Sequence, residues 1–176
     1  MSRRKAQISV IGASEGVPGV LKDAEEVGRR IAEGGAVLVC GGLTGVMEAA
    51  SRGAADAGGT VVAVLPTLEP ADANRYVTHA VATGIGHARN LAVVASGDAV
   101  IAVGGEWGTL SEIAFARKLE RPVISLDSWP LRNRAGTDLG ITEASTPEEA
   151  VKAALSSAVS EESCSERTEA ADETLD

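Results

Sequence analysis

Five short aliphatic runs, Ile8–Gly12, Ala36–Cys40, Thr60–Leu65, Asp98–Val103 and Pro122–Leu126, recur along the chain at intervals long enough to hold a helix. Apolar residues fill successive positions in each run. A strand without a polar face has to be covered on both sides, which is the condition of a parallel sheet held between helical layers. The segments between the runs change period. Ala24, Val27 and Ile31 share one helical face ahead of a stop at Gly34-Gly35. Val46, Ala49, Ala50, Gly53, Ala54 and Ala57 do the same ahead of Gly58-Gly59, and their small size suits close packing. Pro66 to Val81 breaks the rhythm with Pro66, Pro70, Asp72 and Asn74, leaving room for a short strand over 76–80. Further helices are expected over 89–96 and 109–119. Thr146-Pro147-Glu148-Glu149 supplies an N-cap, a first-turn proline and a capping-box glutamate for a last helix with Val151, Ala154, Leu155, Ala158 and Val159 on one face. Strand and helix in alternation predict an α/β fold, a doubly wound parallel sheet with helices on both faces.

Composition narrows the function classes. Hydrophobic residues form 44% of the 176, too many for a disordered chain, yet Trp107, Trp129, Tyr76 and Phe115 are its only aromatics. The core is therefore aliphatic, and a stacking platform for single strands is not expected. Acidic residues outnumber basic ones by 25 to 16, a net charge of -9. Such a chain has no surplus of cations to displace counterions from a nucleic-acid polymer, so no nucleic-acid partner is expected. Residues 160–176 hold seven acids against Arg167, so most of the excess belongs to a tail expected to be solvated and disordered. Residues 1–159, nearly balanced, form the expected single domain, and a small anion is an acceptable ligand there. Cys40 and Cys164 make no disulfide framework. The apolar stretch behind Arg3, Arg4 and Lys5 is broken by Gly12 and Ser14, unlike a secretory signal, and no run approaches the ~18 apolar residues of a membrane span. The expectation is a cytoplasmic protein with no membrane partner. His79 and His87 lack an evident Cys or Asp partner, so no metal site is expected.

In doubly wound sheets ligands bind beyond the carboxyl ends of the strands, where helix N-termini begin. Three strand ends here carry glycine: Gly12-Ala13-Ser14, Gly41-Gly42-Leu43-Thr44-Gly45 and Gly104-Gly105-Glu106-Trp107-Gly108-Thr109. Glycine lets backbone N–H groups approach a phosphate, and it also serves tight turns for steric reasons alone. Three such turns in register favour the phosphate or nucleotide reading. Within the third, Thr109-Leu110-Ser111-Glu112 reads either as a capping box, with Thr109 the cap, or as a helix start that turns the Glu112 carboxylate into the cleft. Arg89, in Gly84-Ile85-Gly86-His87-Ala88-Arg89-Asn90, is a candidate anion clamp because guanidinium is a fixed bidentate donor. His87 and Cys40 read as structural, and Glu48 as a residue favoured by its helix N-terminus.

Gly41 to Met47, then Arg89-Asn90, then Asp98 to Ile113 together resemble the Lonely Guy and molybdenum-cofactor carrier-like proteins of the SLOG superfamily, long mislabelled as lysine decarboxylases. The similarity runs from about Ile8 to Leu155. It implies a Rossmann-like fold and a homodimer. In the phosphoribohydrolase branch the signature Pro-Gly-Gly-x-Gly-Thr-x-x-Glu falls on 104–112, with Gly104 in place of proline and Glu106 in place of the second glycine. Its catalytic arginine and glutamate map onto Arg89 and Glu112, and Asn90 stands where a lysine usually follows. These departures resemble the carrier-type branch. The expected function is accordingly binding of a phosphorylated nucleotide or molybdopterin-like ligand, with no required cofactor. The alternative implied is a nucleoside 5'-monophosphate phosphoribohydrolase using Arg89 and Glu112. The binding positions expected are Gly12, Ser14, Gly41, Gly42, Thr44, Gly45, Gly104, Gly105, Gly108 and Thr109.

Overall fold

The computed structural model describes residues 4–132, 134–136 and 139–158. Seven strands form one sheet: β1 (Gln7–Gly12), β2 (Val37–Cys40), β3 (Val61–Leu65), β4 (His79–Ala82), β5 (Ala99–Val103), β6 (Val123–Leu126) and β7 (Ile141–Ala144). Their order is β4-β3-β2-β1-β5-β6-β7, and every neighbouring pair is parallel. The helices are α1 (Pro18–Glu33), α2 (Val46–Asp56), α3 (Asn90–Ser96), α4 (Trp107–Lys118) and α5 over 147–158. Strand residues alternate between two cores, as pleating requires. Ile8, Val10, Leu38, Cys40, Ile101 and Val103 pack under α1, α2 and α5, while Ile11, Val39, Val100 and Ala102 pack under α3 and α4. All five residues of β5 are buried, which explains its unbroken apolar run. The doubly wound α/β sheet expected from the sequence is therefore present.

Small residues on α1 and α2 set the spacing of their layer. A Cβ on Gly28 would lie 1.9 Å from the Ala50 carbonyl oxygen, and one on Gly53 would lie 1.8 Å from that of Glu25. The two backbones touch there, so no side chain fits.

The observed elements depart from the expected ones where side chains, not apolar runs, define the chain path. The strand expected over 76–80 is β4 at His79–Ala82. Asn74 takes up the preceding residues in a turn, its side-chain oxygen accepting from the Tyr76 amide, and Thr78 bonds sideways to Val61. Strand β7 had no signal, because it is an edge strand in which Ile141 alone is buried. Helix α4 begins two residues before the expected Thr109. The capping-box reading of 109–112 is corrected accordingly: Glu106 is the N-cap, and Thr109 sits three residues on, its hydroxyl accepting the Glu106 amide at 3.4 Å. The box at α5 forms, with the Thr146 hydroxyl accepting the Glu149 amide at 3.2 Å and the Glu149 carboxylate accepting from Ser145 instead of Thr146. Val159 and the acidic tail at 160–176 lie outside the described residues.

From β1 the chain steps outward through β2, β3 and β4, then returns to place β5 on the other side of β1. The loops leaving β1 and β5 diverge at this reversal and open a crevice at the carboxyl edge of the sheet, the position at which such folds bind ligands.

Candidate functional site at the switch point

A cavity of about 240 Å³ occupies that crevice, and the loops around it are tied together by backbone bonds. The Val46 amide at the head of α2 donates to the Ala13 carbonyl at 3.0 Å, and the Thr44 hydroxyl donates to the Ser14 carbonyl at 3.0 Å, so the exits of β1 and β2 move as one. Across the cavity, Gly84 and Gly86 donate to Thr67 and Pro66, which draws the exit of β4 onto the exit of β3. The 3-10 turn Gly86–Arg89 then delivers Arg89 beneath the cavity floor.

Arg89 is only 7% exposed and Glu112 only 5%, a rare state for charged residues that are not paired. They face each other, with Arg89 Nη1 3.8 Å from Glu112 Oε1. The same Nη1 donates to Asn90 Oδ1 at 2.6 Å, while the buried Nε has no hydrogen-bond partner. Gly41 makes room for this guanidinium, since a Cβ there would lie 2.6 Å from Nη2. Burial pushes the Glu112 carboxyl up to about 7, with Arg89 only partly opposing the shift, and burial likewise lowers the pKa of Arg89. An unsatisfied buried donor of this kind costs about 1–3 kcal/mol.

Of the expected residues, Gly12, Ser14, Gly41, Arg89, Gly108, Thr109 and Glu112 line the cavity. The others lie in the same turns without lining it. Gly42 presents its carbonyl to the Asn74 side chain at 3.2 Å, the Gly104 amide is spent on the Leu126 carbonyl in the sheet, and Gly45 is the N-cap of α2. Thr44 is exposed and Gly105, at φ 135°, packs toward Thr109. Leu43, Met47, Pro66, His87, Asn90 and Glu106 also contribute to the walls. His87, read from the sequence as structural, belongs to this lining. Met47 belongs to the Gly41–Met47 stretch that carries the resemblance and Pro66 to the break after the third aliphatic run, but neither was expected at the site. Cys40 is a buried free thiol whose pKa burial raises, consistent with a core residue. Among the described residues no three His, Cys, Asp or Glu side chains converge as metal ligands do, and no helix is long and apolar enough to cross a membrane.

A doubly wound parallel sheet with a buried arginine-carboxyl pair under glycine turns defines a ligand-binding α/β protein of the Rossmann-like class. Within it, the chain belongs to the SLOG cluster4 family, whose profile matches residues 5–155. An uncharacterized protein of Archaeoglobus fulgidus is 46% identical over 153 residues, covering 87% of this chain and 97% of its own. The molybdenum cofactor binding protein of Rippkaea orientalis superposes with a TM-score of 0.80 at 39% identity, over 88% of this chain and 98% of its own. The molybdenum cofactor carrier protein of Chlamydomonas reinhardtii does so with a TM-score of 0.75 at 35% identity, over 85% and 96%.

Proposed function

We propose that this chain is a small-molecule binding protein that holds a phosphorylated ligand, a nucleotide or a molybdopterin-type compound, as cargo at the switch point. The observation that carries the reading is the buried Arg89 guanidinium, which lines a cavity walled by glycine turns. The Gly108 amide, in the first turn of α4, adds an N–H donor and the positive end of a helix dipole, while the Thr109 amide is taken by the Glu106 side chain. Gly12, Ser14 and Gly41 line the cavity, with Gly12 and Gly41 making room for Val46 and for the Arg89 guanidinium, and Gly42, Thr44, Gly45, Gly104 and Gly105 hold the turns in shape. The relatives described as binding or carrying molybdenum cofactor support this class of ligand. No resident cofactor is needed for such a role. The acidic surface opposes a nucleic-acid polymer but not one phosphate inside a balanced cleft. The free thiol of Cys40 suits a reducing, cytoplasmic setting. Native mass spectrometry of the protein purified under gentle conditions tests the reading, and the expected result is a bound phosphorus-containing small molecule.

One observation favours a second reading. A carboxyl near pH 7 beside a buried guanidinium is equipped for general acid-base chemistry, so Glu112 could serve N-glycosidic cleavage of a nucleoside 5'-monophosphate with Arg89 stabilising developing charge. Incubation with nucleoside monophosphates, following free base by chromatography, decides it: release equal to that of an Arg89→Ala/Glu112→Ala control eliminates hydrolysis.

The homodimer proposed here uses the outer faces of α3 and α4, where Leu91, Phe115 and Leu119 remain exposed. A second copy of the chain would cover them. Sedimentation velocity is expected to show a dimer that Phe115→Asp disperses, and a wild-type monomer at micromolar concentration would refute it.

A further inference from the structure

The cavity, at about 240 Å³, is smaller than the ~300–1,000 Å³ of sites that enclose a whole organic ligand, so one end of a nucleotide-sized molecule must emerge from it. Two aromatic side chains adjoin the cavity wall without lining it. Glu106 and Gly108 line the cavity, and Trp107 between them is 76% exposed. Trp129, in the loop leaving β6, lies against Trp107 with ring centroids 5.4 Å apart and planes tilted by 37°. Its indole N–H donates to the Glu106 carbonyl at 3.2 Å, which fastens the β6 exit loop to the wall of the cavity. That loop is also unusual in two respects. Asp127 sits at φ 49°, a left-handed conformation that Asp tolerates better than most residues with a Cβ, and the neighbouring Ser128 hydroxyl is buried without a partner. Packing alone would select neither feature, nor would it leave the largest side chain of the region open to water.

On the premise that the cavity takes a phosphate, we infer that Trp107 and Trp129 form a ring subsite that stacks the planar heterocycle of the same ligand. Phosphate held over Arg89 places the remainder of the molecule at the cavity mouth, where an indole face offers a π-surface indifferent to the exact ring. The pair occupies a single ring rather than a strand of bases, in keeping with the scarcity of other aromatics in the chain.

Trp107 and Trp129 are the only tryptophans, so intrinsic fluorescence reports on this pair alone. The test titrates the full chain with GMP, which carries a fused ring, and with ribose 5-phosphate, which does not. GMP is expected to quench the fluorescence and ribose 5-phosphate to bind by calorimetry without quenching. Trp107→Ala should weaken GMP by about tenfold or more, the scale of one aromatic-base stack, and leave ribose 5-phosphate unchanged, while Trp107→Phe restores most of the GMP affinity. GMP binding equally well to Trp107→Ala and wild type would overturn the ring subsite and leave the phosphate site standing. Tryptophan-dependent GMP binding with no ribose 5-phosphate binding would keep the stack and overturn the phosphate placement. No binding of either ligand would overturn both.

Discussion

Arg89 and Glu112 are the buried charged pair of the proposed site, and their chemistry is set by burial more than by their mutual attraction. At 3.8 Å the ion pair is loose, and desolvation outweighs it in raising the Glu112 carboxyl to about 7. The folded protein therefore holds a proton that the unfolded chain releases between pH 4.5 and about 7. Stability is lost as pH rises through that window, because the folded state binds more protons than the unfolded one. Glu112→Gln removes this dependence. Urea unfolding at pH 5 and pH 8 should show the stability difference between variant and wild type moving in the variant's favour by about 2–4 kcal/mol, the equivalent of the raised pKa. A pH-independent difference would show that Glu112 titrates normally. Both residues were legible as candidates from sequence because the glycine turns and the helix starts around them are local patterns. Their contact was not, since it depends on Gly84 and Gly86 hooking one loop onto another strand's exit. The wall position of His87 arises from the same hook and was not legible either.

Elements were legible where apolar runs define them and obscure where turns do. The buried strands β1, β2, β3, β5 and β6 fall within a residue of their aliphatic runs. The edge strands did not, because β4 is displaced by the Asn74 turn and β7 offers Ile141 as its one buried residue. The small-residue face of α2 was readable as a close-packing surface, and its partner proves to be the backbone of α1. This contact decides the sign of a substitution that helix propensity alone would misjudge. Alanine is favoured over glycine in a helix by about 1 kcal/mol. At Gly53 the added methyl would stand 1.8 Å from a main-chain oxygen that cannot rotate away, so overpacking prevails. Gly53→Ala should lower stability by about 1–3 kcal/mol in urea unfolding. Gly19→Ala, on α1 with nothing within 4 Å of the new methyl, should be neutral or slightly stabilising. Equal effects at the two positions would contradict the close approach of the helices.

At the scale of the whole molecule, topology brings the three glycine turns together. Exits of β1, β2 and β5 meet because the strand order reverses at β1, and no local pattern states that order. The alternation of strand and helix predicts the doubly wound class, and the class predicts where its ligand lies, so the proposed anion site is compatible with a net charge of -9. The central claim is that this site takes a phosphorylated small molecule through Arg89. Native mass spectrometry of wild-type protein and Arg89→Met, purified side by side and matched by circular dichroism, addresses it most directly. Wild type should carry a phosphorus-containing adduct that the variant loses, since removing a charge-assisted donor costs about 1.5–3 kcal/mol, or roughly tenfold to a hundredfold in affinity. A wild-type ligand without phosphorus, or an adduct retained undiminished by Arg89→Met, would contradict it.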